Sequence, residues 1–204
     1  MIIYQRKPKN MKKTVFAIFT LFAFLICMTS CKKDKPQPEP TPEPIPEPTV
    51  NSYDFDAVIK SDYRMIENLY DDFMFYEAHA LFSQNVNTLT SPVIVSMRTI
   101  FQVEDTVLLL DHLENDFSGT PEMTKIIDHM IGDIQIFVDQ IPVSFAQAWD
   151  YLRTSDIPMP TGNTMTLRTP LSPPFDEYPS YIFPTTNGQY IRVYSGDGTV
   201  EYFQ

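Results

Sequence analysis

Val143-Ser144-Phe145-Ala146-Gln147-Ala148-Trp149-Asp150-Tyr151-Leu152 opens the stretch that decides the fold. Tyr181-Ile182-Phe183, Tyr190-Ile191-Arg192-Val193-Tyr194 and Thr199-Val200-Glu201-Tyr202-Phe203 complete it. Ser144 followed three residues later by Gln147 has the form of a capping box, in which each side chain satisfies a backbone N–H of the first turn. Phe145, Ala148, Trp149 and Leu152 then recur at helical spacing and form one apolar stripe. Four short β-rich runs follow, at Met165–Arg168, Ser180–Pro184, Gln189–Ser195 and Thr199–Phe203. Asn187-Gly188 and Gly196-Asp197-Gly198 punctuate the last three as hairpin turns. A helix followed by antiparallel strands is therefore expected from residue 143 to the end.

The same order is expected upstream. Phe55, Val58, Ile59, Tyr63, Ile66, Leu69 and Tyr70 predict a helix over 55–71. Phe73–Gln84 alternates in a way that fits either period, and its aromatic content favours a strand. Val93–Val103 and Thr106–His112 are β-rich, with Glu104-Asp105 placed to turn a hairpin between them. Thr120-Pro121-Glu122 has the form of a helix start, while Ile126–Val138 fits helix or strand equally. The economical architecture is α+β: two helix-plus-antiparallel-sheet units in one compact domain over 51–204, with subunits at 51–115 and 140–204. Each helix would cover one face of a sheet. No residue-level repeat accompanies this order.

The residues from Val143 to Ala148, then Tyr181-Ile182-Phe183, Tyr190–Tyr194 and Gly196-Asp197-Gly198-Thr199-Val200, resemble the PepSY-like domains of exported Bacteroidota proteins, which are related in shape to the β-lactamase-inhibitor protein. The likeness covers about a third of the chain, and the Pro-rich insert Pro170–Pro179 departs from the usual unit. It implies a binding or inhibitory role, and it transfers no catalytic residue.

Residues 1–30 read as an address. Met11-Lys12-Lys13 precedes an apolar run of 12 residues, Val15–Ile26. That run is short of the about 20 apolar residues a membrane-spanning helix needs, and it has the form of a secretory signal with Met11 as the start. Met28-Thr29-Ser30-Cys31 resembles a lipobox, with Met where Leu is usual, so Cys31 is the expected lipidation site. An ordinary cleaved signal would leave Cys31 as a bare thiol. From Pro36 to Pro48 every second residue is proline. Proline fixes φ and lacks a donor, so residues 31–50 are expected to form a stiff tether, rising about 3.1 Å per residue and reaching about 40 Å over the Pro run. A ligand for a Pro-recognising module is the rival reading of the run. These features together predict an outer-membrane lipoprotein of the cell envelope, facing the periplasm or the surface.

Charge narrows the partners. Residues 51–204 carry 22 acids and 7 bases. A net charge of −15 on this domain disfavours nucleic acid, which requires a cationic surface. Both cysteines, Cys27 and Cys31, lie in the leader region, so the expected domain has no disulfide and no thiolate metal site or nucleophile. Of His79, His112 and His129, none has zincin spacing. Glu77 and His79 share a strand face and could meet His112 around a metal, although an exposed polar face is the plainer reading. The sequence holds no G-x-S-x-G nucleophile turn, and Gly196-Asp197-Gly198 lacks the spaced oxygens of a calcium loop. No metal, cofactor or catalytic residue is assigned.

The aromatic residues carry the binding expectation. On the strand over 189–195, Ile191 and Val193 point one way and Tyr190, Arg192 and Tyr194 the other. If the helix covers the first pair, the Tyr-Arg-Tyr face is open, unless the first unit or the 170–179 segment packs there. Tyr and Arg dominate protein interfaces, and an aromatic sheet face can also stack on sugars. The sequence thus predicts a non-enzymatic, lipid-anchored module that binds an envelope protein or peptide, or alternatively a surface glycan-binding accessory lipoprotein. Asp105-Thr106-Val107 also resembles a short acceptor motif for O-glycosylation in Bacteroidota.

Overall fold

The computed structural model describes residues 51–204 except 115, 118, 128–133, 171–176 and 204. The expected signal, Cys31 and tether lie outside the described residues, as do His129 and much of the Pro170–Pro179 insert.

The fold is α+β. Helix α1 (Phe55–Glu67) is followed by strands β1 (Met74–Phe82), β2 (Ile94–Val103), β3 (Thr106–His112) and β4 (Glu122–Ile127). Helix α2 (Phe145–Thr154) is followed by β5 (Thr164–Arg168), β6 (Ser180–Pro184), β7 (Tyr190–Tyr194) and β8 (Val200–Phe203). All eight strands join one antiparallel sheet in the order β4-β3-β2-β1-β5-β6-β7-β8. There is one continuous sheet, not a sheet for each helix. The two halves meet where β1 pairs with β5, Ala78 opposite Leu167 and His79 opposite Thr166.

Both helices lie on the same side of that sheet. The Phe55 ring of α1 is 5.1 Å from Phe145 of α2, and Phe82 of β1 lies 5.9 Å from Trp149. A β-bulge between Phe75 and Glu77 resets the alternation of β1. Phe75, Ala78, Ala80 and Phe82 are thereby all buried in the core. The alanines at the sheet centre leave room for the large side chains that α1 and α2 press inward. Ile191 and Val193 are buried beneath the helix layer, as their alternation implied.

The caps follow the sequence. Asp54 accepts from the Ala57 N–H at the start of α1, and Ser144 and Gln147 form the expected capping box of α2. Helix α1 stops at Glu67 instead of 71. Asn68 is its C-cap, and Leu69 and Tyr70 turn back onto the Ile66 carbonyl. Glu104 adopts a φ of 53° to turn the β2–β3 hairpin where expected. Gly198, at φ 81°, turns the last hairpin, and a Cβ there would run into the Tyr151 ring.

The helix start read at Thr120-Pro121-Glu122 is corrected: Glu122–Ile127 is strand β4. Thr124, Ile126 and Ile127 are β-branched, and pairing with the β3 edge, Leu109 opposite Thr124, outweighs a cap signal worth about 1 kcal/mol. Of the span left open between helix and strand, Ile126 and Ile127 are strand, and Val138–Gln140 is a single 3-10 turn.

One polar cluster pins α1 to the sheet. Asp62 points into the core, where both carboxylate oxygens lie 3.0 Å from His112 Nε2 and Thr99 donates a hydroxyl at 2.6 Å. The Asp62 and His112 side chains are each 2% exposed. Removing one partner strands the other without water, which costs about 3–5 kcal/mol, whereas replacing both by apolar groups is far less costly. Asp62→Ala is therefore expected to lower stability by about 3–5 kcal/mol in urea melts, and Asp62→Leu/His112→Met to recover at least half of that. Equal losses in the single and double variants would show that the pair does not act as a unit.

Candidate functional site on the open sheet face

With both helices on one side, the other side of the sheet carries a row that crosses all eight strands. In register it reads Glu122, Asp111, Arg98, His79, Thr166, Ile182, Arg192 and Glu201. From Asp111 to Arg192 each residue in it alternates with buried neighbours, as His79 does between Ala78 and Ala80.

Pairing within and between strands engages most charges of this face. Arg98 donates from Nε to Asp111 Oδ1 at 2.6 Å and from Nη2 to Oδ2 at 3.1 Å. That fork holds the guanidinium pKa above its ordinary value, chiefly through the hydrogen bond to Asp111. His79 Nε2 lies 2.9 Å from Glu77 Oε2, and its Nδ1 lies 3.0 Å from Thr166 Oγ1. Arg168 reaches the other Glu77 oxygen at 3.4 Å. Arg192 donates from Nε to Glu201 Oε1 at 2.6 Å. Directional pairs of this kind hold both partners in one geometry.

Tyr190, Arg192 and Tyr194 all lie on this face. Tyr190 is 44% exposed. Arg192 is tied to Glu201, and Tyr194 packs edge-on against Tyr178 at 6.3 Å between ring centroids. Gly196 sits so close to the Tyr194 ring that a Cβ would clash. The expected platform is therefore open at Tyr190, anchored at Arg192 and partly covered at Tyr194.

A shallow depression of about 380 Å3 lies on the same face, over β2, β1 and β5. Its lining includes His79, Leu81, Ser96, Arg98, Ile100, Asp111, Thr164 and Thr166. Glu77 and His79 do share a face and touch, but His112 lies on the opposite side of the sheet, bonded to Asp62. Glu77, His79 and His112 therefore do not converge on a metal, and among the described residues no group of three or more His, Cys, Asp or Glu is set to hold an ion. Asp197 accepts from the Thr199 N–H at 2.9 Å, the bond of a hairpin turn, and this bond lowers its pKa. Thr106 of the Asp105-Thr106-Val107 motif is half-buried as the first residue of β3.

No family model, no curated protein and no solved structure matches the chain.

The only sequence signal for the Arg98–Asp111 pair is the turn at Glu104-Asp105, which sets them opposite one another once the hairpin is counted back. Ser96, Thr164 and Thr166 gave no signal, because the depression they line depends on β1 pairing with β5. Asp56 was equally silent. It lies in the first turn of α1, yet its carboxylate accepts the Phe145 N–H of α2 at 3.1 and 3.3 Å.

Burial pushes the Asp56 pKa above the ordinary 3.8, and the bond from Phe145 opposes this only in part. A carboxyl with a raised folded-state pKa binds protons better folded than unfolded. Its contribution is favourable at low pH and is lost as pH rises through the folded value. Asp56→Asn keeps an acceptor for Phe145 and removes the titration. The variant is expected to match or exceed the parent's stability at neutral pH, and to show a flatter acid limb in denaturant melts taken from pH 3.8 upward. A clear loss of stability at neutral pH would show that the ionised carboxylate is required.

Proposed function

We propose that this chain is a non-enzymatic, lipid-anchored binding module of the cell envelope. Cys31 carries the anchor, residues 36–48 form the spacer, and the open sheet face takes an envelope protein or peptide. The observation that carries the reading is the helix-free face of the eight-stranded sheet, which is solvent-accessible at His79, Arg98, Arg168 and Tyr190 and has both helices on its other side. Tyr190 and the arginines 98, 168 and 192 stand on it, residue types that supply most binding energy at interfaces. Of its carboxylates, Glu77, Asp111 and Glu201 are each engaged by an arginine, an arrangement suited to recognition. The order of one helix and four strands, occurring twice with β1 and β5 at the centre, supports a pair of PepSY-like units. The leader and lipobox support the outer membrane as the site of action, on its periplasmic or outer side.

A second reading, a surface glycan-binding accessory lipoprotein, is favoured by the depression over β2, β1 and β5, on the same face as Tyr190 and two strands from it.

A photo-crosslinking residue at position 190 tests the first reading in intact cells. A discrete protein adduct is expected from position 190, none from exposed Tyr151 on the helix side, and loss of membrane association on Cys31→Ser. Identical adduct patterns from the two positions would contradict it. Protease treatment of the same cells, with a tag after Gln204, reports which side of the outer membrane the domain faces.

A further inference from the structure

We propose that the depression over β2, β1 and β5 binds a neutral oligosaccharide, with Tyr190 stacking on a sugar ring beyond its edge. This deepens the glycan-binding reading above and rests on it.

Charge selects against ionic ligands. Arg98 and Asp111 cancel one another within the depression, while the domain around it carries 22 acids against 7 bases. An anion meets a repulsive field, and a cation finds a carboxylate already neutralised by a guanidinium.

Hydrogen-bonding capacity selects a polyol. Arg98 has five N–H donors, of which two hold Asp111. Each Asp111 oxygen accepts one of those bonds and has a lone pair to spare. Ser96 and Thr164 line the same depression, and among the described residues their hydroxyls are uncommitted. Donors and acceptors therefore alternate over a few ångströms. A pair of neighbouring sugar hydroxyls matches that pattern, since every hydroxyl both donates and accepts. The Arg98–Asp111 fork holds both groups before the ligand arrives, so little side-chain freedom is lost on binding.

Shape and apolar surface agree. Leu81 and Ile100 offer apolar contact to the C–H face of a ring. The volume of about 380 Å3 falls at the lower end for small-molecule sites, which suits one or two sugar rings. Tyr190 stands on β7, two strands from Thr164 on β5. At about 4.8 Å per strand this is about 10 Å, in reach of the next ring of a trisaccharide. Strand addition by a peptide does not fit this depression, because β1, β2 and β5 are all interior strands and present no open backbone edge.

Calorimetric titration of the full chain with trisaccharides tests the proposal. The probes are α- and β-linked glucose, mannose, galactose, xylose and N-acetylglucosamine trisaccharides, with an anionic sialylated trisaccharide and an uncharged extended peptide as counter-probes. At least one neutral trisaccharide is expected to bind at or below about 1 mM. Arg98→Met/Asp111→Leu should weaken it by about tenfold or more, and Tyr190→Ala by a few-fold. Thr164→Leu, which fills the depression and leaves the ion pair intact, should also abolish binding and covers the case in which the double variant does not fold. The proposal is overturned if no neutral trisaccharide binds at about 10 mM, if binding survives Thr164→Leu, or if only the sialylated probe or the peptide binds. Failure here with a position-190 adduct still formed in cells would remove the saccharide site and leave the binding-module reading standing.

Discussion

The backbone pairing of β1 with β5 is the interaction on which the rest of the structure depends. It joins four strands that follow α1 to four that follow α2, and it puts both helices on one side. Ala78 and Ala80 lie under the helices at that seam, where larger side chains would push the helix layer away. The aromatic cluster of Phe55, Phe82, Phe145, Trp149 and Tyr181 then closes over it. Because all the helical cover is on one face, the polar side chains of the opposite face are satisfied by each other, by water or by a ligand. The three arginine–carboxylate pairs and His79 are how the described residues meet that demand.

Local signals and long-range consequences were unequally legible. The capping box of Ser144 and Gln147, the strand alternation around Ile191 and Val193, and the turns at Glu104-Asp105 and Gly196-Asp197-Gly198 each depend on residues close in sequence, and each was readable. So was the orientation of Tyr190, Arg192 and Tyr194 away from the core. The helix start at Thr120 misled because a cap signal of about 1 kcal/mol competes with six residues of pairing to an otherwise open strand edge. The fusion of all strands into one sheet was not readable, since antiparallel β1–β5 contacts join residues almost 90 apart with no shared turn. The Asp62–His112 pair and the Asp56–Phe145 bond were hidden for the same reason.

The polar residues divide by face. On the helix side, Asp62, Thr99 and His112 are sealed from water and serve the attachment of α1. On the open side, Arg98, Asp111 and His79 remain within reach of solvent while held by fixed partners. Burial turns the first group into a stability device. Accessibility with preorganisation suits the second to recognition. The Glu77–His79 contact belongs to the second group, and the sheet itself separates it from His112.

The central claim is that recognition takes place on the helix-free face. Hydroxyl-radical footprinting of tyrosines, comparing the protein in its native envelope with the purified chain, tests this most directly. Tyr190 and Tyr151 are nearly equally exposed, at 44% and 42%, on opposite sides of the molecule. The account predicts protection of Tyr190 in the envelope and unchanged labelling of Tyr151. Protection of Tyr151 with Tyr190 unchanged would contradict it and move the interaction to the helix layer.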